Sequence, residues 1–175
     1  VAGECDVKTR DTIFSPDRRY RYTLFRKVPV TFRFDPARWD TSNYVQFIGL
    51  NPSVADEKIN DATIRRCINY ASEWGFHWMC MTNLFAWRET ESKLLTGIPK
   101  PIGPENDHWL QEVAKDAGLV VAAWGTKGVL HGRGEQVKQL LRPLCTLHCL
   151  QETADGHPQH PLYLRKGLTP IPLHP

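Results

Sequence analysis

VQFIGLNPS, residues 45–53, is an apolar run of strand length that halts at a Gly-x-Asn-Pro turn. A polar run over residues 54–66 follows, and a helix begins within it. A buried strand that stops sharply before a helix is where open α/β proteins place their ligands. Downstream, Asp56–Asp61 reads as a polar loop, and Ala62–Trp74 carries helical spacing through Ile64, Cys67, Ile68 and Ala71. Asp61 or Thr63 is placed to cap that helix, whose free N–H groups also suit an anion. Gly75 is the expected stop.

The apolar run Trp78–Phe85 (WMCMTNLF) predicts a second buried strand. Residues 86–104, with three prolines and two glycines, read as a long functional loop. A helix over Glu105–Ala117, a strand over Leu119–Trp124, a helix over His131–Leu141 and a strand over Leu144–Leu150 complete the alternation, before a tail rich in Gly, Pro and His. Upstream, residues 1–12 read as a loose lead-in and Phe32–Ser42 as a connector. Between them Arg19–Val30 (RYRYTLFRKVPV) alternates apolar with basic residues, the pattern of a strand with one buried and one basic face. Pro29 marks an edge position or the strand's end. Strands alternating with helices imply right-handed crossovers. The expected fold is α/β: a single three-layer α/β/α domain spanning residues 1–175, with a central, mainly parallel sheet.

At 175 residues, 41% hydrophobic and 23% charged, the chain is long enough for one real core and has ordinary globular composition. A net charge of +3 gives no global basic field, so nucleic-acid binding would need a local patch. Cys5, Cys67, Cys80, Cys145 and Cys149 form no CxxC pair, and the last two read as core thiols. No secretory signal is read, and no apolar run nears the ~18 residues of a membrane span. A cytoplasmic location, no cofactor, no metal and no obligatory protein partner are the expectations.

Four predicted strand ends carry polar or aromatic residues: Asn51 in GLNPS, Asn83 in TNLF, Trp124 in AAWG, and His157 or His160 in DGHPQHPLYL. Taken singly, each has an ordinary explanation as a turn, packing or loop residue. In a parallel sheet the four ends face one side, so they can converge on one crevice.

Gly49-Leu50-Asn51-Pro52 resembles the first motif of the uracil-DNA glycosylase superfamily, especially the Gly-Ile-Asn-Pro-Gly of its mismatch-specific branch. Thr82-Asn83-Leu84 resembles the strand whose asparagine reads the flipped pyrimidine, Val120–Gly125 the strand ending in Trp-Gly, and His160-Pro161-Leu162 the late His-Pro-Ser segment. Ser53 stands where that branch has glycine, and Leu162 where it has serine. The wider pattern, with YRYTL, NDATIRRC and ENDHWL, is closer still to an uncharacterised bacterial family of unknown function.

The superfamily resemblance implies a monofunctional DNA glycosylase acting on a flipped uracil-like or modified pyrimidine, in repair or in defence against phage. DNA is the implied partner. It implies Asn51 and His160 as catalytic residues and Asn83, Gly49, Pro52 and Trp124 around the base; Asp56, by its place just beyond the turn, joins them as a candidate catalytic carboxylate. Ser53, Arg65, Arg88, Lys127, Leu162 and Tyr163 would meet the DNA, with Leu162 or Tyr163 as the wedge.

The chemistry suits those residue types. An asparagine has one donor end and one acceptor end, matching a pyrimidine's Watson–Crick edge. Asn51 would position the attacking water, and an amide is a poor base, so Asp56 or Asp61 is the candidate carboxylate unless both serve only the turn and the cap. His160 would donate to the base carbonyl as charge leaves onto the ring, with His157 as its rival. No lysine accompanies these motifs, which argues against a strand-cutting Schiff base. The alternatives are a non-catalytic nucleic-acid-binding module on the same fold, or an enzyme on free nucleotides that uses the helix start near Asp61 for phosphate.

Overall fold

A computed structural model describes residues 10–29, 40, 43–53 and 58–174. Most of the expected lead-in and connector therefore lies outside the described residues. In chain order the elements are β1 Ile13–Phe14, β2 Arg21–Lys27, β3 Val45–Gly49, α1 Ala62–Glu73, β4 Trp78–Asn83, α2 Asn106–Asp116, β5 Leu119–Ala122, α3 Arg133–Leu141, β6 Leu147–Cys149 and β7 Ile171–Pro172.

The strands form one sheet in the order β1-β2-β4-β3-β5-β6-β7. The central four, β4, β3, β5 and β6, run parallel, with Gly49 beside Asn83 and Ile48 beside Ala122. β2 and β7 add on antiparallel, and β1 pairs antiparallel with β2. The sequence reading had neither β1 nor β7. Two-residue strands are too short to show a period.

Helices cover both faces, giving three layers. Ile64, Cys67, Tyr70 and Ala71 of α1 pack on Phe47, Met79, Met81 and Val121. On the other face Leu110 of α2 and Val137 and Leu141 of α3 pack on Ile48, Val120 and Ala122. Between the layers Gln46 Nε2 donates to Thr82 Oγ1 at 3.0 Å, so a polar pair spans β3 and β4 inside the core without an unmet donor.

β2 corrects one expectation. Its burial pattern leaves Arg21 through Phe25 all buried, so the basic residues do not share one solvated face; Arg26 is half-buried and Lys27 exposed at the strand's end. The strand is flanked by β1 and β4, and Pro29 lies past its end rather than on an edge. The helix expected from His131 starts at Arg133, because His131 adopts a positive φ of 54° behind a 3₁₀ segment, Thr126–Gly132. The last parallel strand shrinks from Leu144–Leu150 to Leu147–Cys149. The described cysteines are free; Cys67, Cys80 and Cys149 are buried, and burial pushes the Cys149 thiol up to about 12. No described helix is long and apolar enough to cross a membrane.

Candidate functional site

A cavity of about 400 Å³ opens at the carboxyl ends of β3, β4 and β5. Gly49, Leu50 and Asn51 enter it from β3, Asn83 from β4, and Trp124 to Lys127 from beyond β5. The start of α1 adds Asp61, Thr63 and Ile64, the long loop adds Glu89, Thr90 and Ser92, and the C-terminal stretch adds His160 and Tyr163.

Asn83 forms the floor. It is 3% exposed, and its Nδ2 meets no acceptor among the described residues. A buried amide donor without a partner is costly, and such groups collect at binding sites. Gly49 is required beneath it, because a Cβ there would stand 2.8 Å from Asn83 Oδ1. Behind it, the wholly buried Asn106 donates through Nδ2 to the carbonyls of Asn83 and Leu84, each at 3.0 Å. Arg133, anchored on Asp107, donates through Nε to Leu84 O at 2.9 Å. The backbone that carries Asn83 is thus fixed by side chains from α2 and α3.

Asn51 is oriented by its neighbours. Its Nδ2 donates to Glu89 O at 2.6 Å and Pro52 O at 3.2 Å. Among the described residues nothing donates to Oδ1, so the acceptor end remains to hold a water. His160 is oriented too: the Leu162 N–H donates to Nδ1 at 3.3 Å. With Nδ1 accepting, a neutral ring carries its proton on Nε2 and presents a donor there. Burial lowers the His160 pKa, against a weaker upward pull from Asp61, which favours that neutral form. Asp61 caps α1 by accepting from Ile64 N–H at 2.8 Å, which settles the choice between it and Thr63.

Trp124 is buried and packs on Gly128, where a Cβ would fall 2.3 Å from the indole Cδ1. Gly125 has a φ of 72°, a backbone conformation that favours glycine, and a Cβ there would stand 3.4 Å from His160 Cβ. At the mouth Lys127 Nζ donates to Ser92 Oγ at 2.7 Å, and Tyr163 is 85% exposed.

Of the expected residues, Gly49, Asn51, Ser53, Asn83, Trp124, Lys127, His160 and Tyr163 line this cavity. Pro52 is buried behind it, its carbonyl taken up by Glu89 N–H. Arg65 is exposed and donates to Asn60 O, while Arg88 donates to Arg18 O and lies over the Phe14 ring. Neither arginine lines the cavity, nor does the partly exposed Leu162. His157 lines a neighbouring depression instead. Asp56 lies outside the described residues.

Three contributors escaped the sequence reading. Arg21, placed there on a basic strand face, is buried and lines the cavity. Glu89 comes from a loop whose course the sequence does not specify, and Asn106 lies in the first turn of the helix expected from Glu105, where nothing in the spacing marks it. Among the described residues no group of three or more His, Cys, Asp or Glu side chains is placed to hold a metal.

A family model described as a protein of unknown function (DUF1643) matches residues 21–162. No curated protein and no solved structure matches the chain.

Proposed function

The chain belongs to that family, DUF1643, and from the site we propose that it is a DNA glycosylase hydrolysing the N-glycosidic bond of a flipped uracil-like or modified pyrimidine. The observation that carries this reading is the unmet Asn83 amide, buried at the floor of a cavity that also holds His160 and Asn51. The likeness of GLNP, TNL, AWG and HPL to uracil-DNA glycosylase motifs supports it.

A base extruded from DNA enters the cavity edge first. Asn83 Nδ2 donates to the exocyclic carbonyl, and Oδ1 accepts the ring N–H. As the C1′–N1 bond breaks, its electron pair moves onto the ring, and the His160 Nε2 proton stabilises the charge on the carbonyl oxygen. Asn51 Oδ1 orients the water whose oxygen bonds to C1′, and the water's surplus proton leaves through a carboxylate. Asp61 and Glu89 line the cavity for that task, and Asp56 is a third candidate. Lys127 meets a phosphate, and Tyr163, at the mouth, fills the vacated stack.

Base release from duplex and single-stranded DNA containing uracil, mismatched thymine, hydroxymethyl or glucosylated pyrimidines tests the proposal. The readouts are alkaline cleavage and mass spectrometry. A freed base is expected. Binding to abasic DNA without release from any substrate would replace the enzyme with a binding module, a reading favoured by the amide at position 51, where a carboxylate would be the stronger base.

A further inference from the structure

β1 and β2 fall out of step where Arg21 enters the sheet. The consecutive residues Ile13 and Phe14 face Thr23 and Arg21, so Tyr22 is passed over. One extra residue is a β-bulge, a device that re-aims side chains beside active sites. The packing records it: Leu24 lies with Met81 beneath α1, whereas Tyr22 joins Phe25 and Tyr44 on the opposite face. Arg21 is turned into the cavity that Met81 and Asn83 also line.

There Arg21 is 6% exposed, and its Nε meets no acceptor among the described residues. None of the described ion pairs includes it. Burial lowers its pKa to about 10, against an upward pull from Asp61, so it remains a cation at neutral pH. Asp61 is the obvious counter-charge, but its Oδ1 is committed to the α1 cap. A buried charge without a partner is far less stable than a paired one. A neutral base edge would leave it unpaired.

We propose that Arg21 and the backbone N–H of Thr63, which lines the cavity at the start of α1, form an oxyanion subsite there, for a carboxylate or phosphate carried by the ligand. This rests on the glycosylase reading and narrows it, since the preferred base becomes a pyrimidine with an acidic substituent. A free pyrimidine nucleotide offers the same chemistry through its phosphate.

The test follows the Arg21 Nε–H resonance in ¹H–¹⁵N spectra of the whole protein, assigned by its loss in Arg21→Gln. Inorganic phosphate is expected to shift it saturably. Asp61→Asn keeps a capping side chain and removes the competing carboxylate, so phosphate should bind several-fold more tightly. If Asp61→Asn moves the resonance in buffer alone and phosphate moves it in neither protein, Asp61 is the partner and the subsite falls.

Two further arms separate the sources. A larger shift with duplex DNA containing 5-carboxyuracil than with uracil DNA supports an acidic base. A response to uridine 5′-monophosphate but not uridine, with indifference to both DNAs, keeps the subsite and removes the glycosylase. Silence toward phosphate, nucleotide and carboxylated DNA overturns the subsite, whether or not a base is released from DNA.

Discussion

At the floor of the cavity Asn83 sits on backbone gripped by Asn106 and Arg133, through hydrogen bonds that water does not reach. At the mouth Lys127 holds Ser92 across exposed surface, and Tyr163 stands 85% exposed beside His160. The floor is buried and held by hydrogen bonds from two helices, whereas the rim is exposed to solvent. Preorganised groups act on the chemical step, and exposed ones act on encounter and affinity.

The largest effect should follow removal of the floor's own amide. Asn83→Ala is expected to reduce base release about 10²–10³-fold, the scale of losing one preorganised donor. Its melting temperature should hardly fall, because Asn106 bonds the Asn83 backbone carbonyl rather than its side chain. Wild-type release rates would remove Asn83 from the site.

Asn106→Leu takes away the two buried bonds beneath the floor. Leu84 O keeps the Arg133 donor and the Asn83 carbonyl loses its partner, so chemical denaturation should show a loss of about 1–3 kcal/mol. Release should slow through kcat while KM holds. A change in KM alone would mean that the grip does not position Asn83.

His160 lies between the two regimes. His160→Gln should slow release far more than His157→Gln, since only His160 lines the cavity; the opposite ranking would move the donor three residues upstream. Because burial depresses the His160 pKa below its unfolded value of 6.5, the native protein binds fewer protons there. Stability from this group is present above pH 6.5 and is lost as pH falls through the folded value. Urea titrations across that window should show the decline, reduced in His160→Gln.

The smallest effects belong to the rim. Lys127→Ala should weaken DNA binding several-fold and lower the salt slope by about 1, as for one lost phosphate contact. Tyr163→Ala should weaken binding without changing which base is released. A changed base preference from either would show that the rim reads the base, and the division between the two regions would fail.

The parallel core was legible because β3 and β4 are buried on both sides and so write continuous apolar runs, VQFIG and WMCMTN. Asn51, Asn83 and Trp124 were legible because they stand at or just past the ends of buried strands; His160 lies well beyond β6, at no strand end, and was legible only through its His-Pro-Leu motif. Arg21 was not: a bulge breaks the period of two, and in sequence a buried arginine on such a strand looks like a solvated one. Glu89 and Asn106 act through main-chain bonds to distant segments, which residue spacing does not encode. Arg65 and Arg88 lie outside the cavity, which their charge could not foretell, because charge in a sequence carries no information about which way a side chain points.

The packing of Trp124 on Gly128 has a use in engineering. The indole lines both the main cavity and the neighbouring depression of about 330 Å³ that holds His157. It is a party wall. Thinning it with Trp124→Leu gives a rational starting point for joining two chambers, and with them a route to variants that admit ligands too bulky for the native cavity.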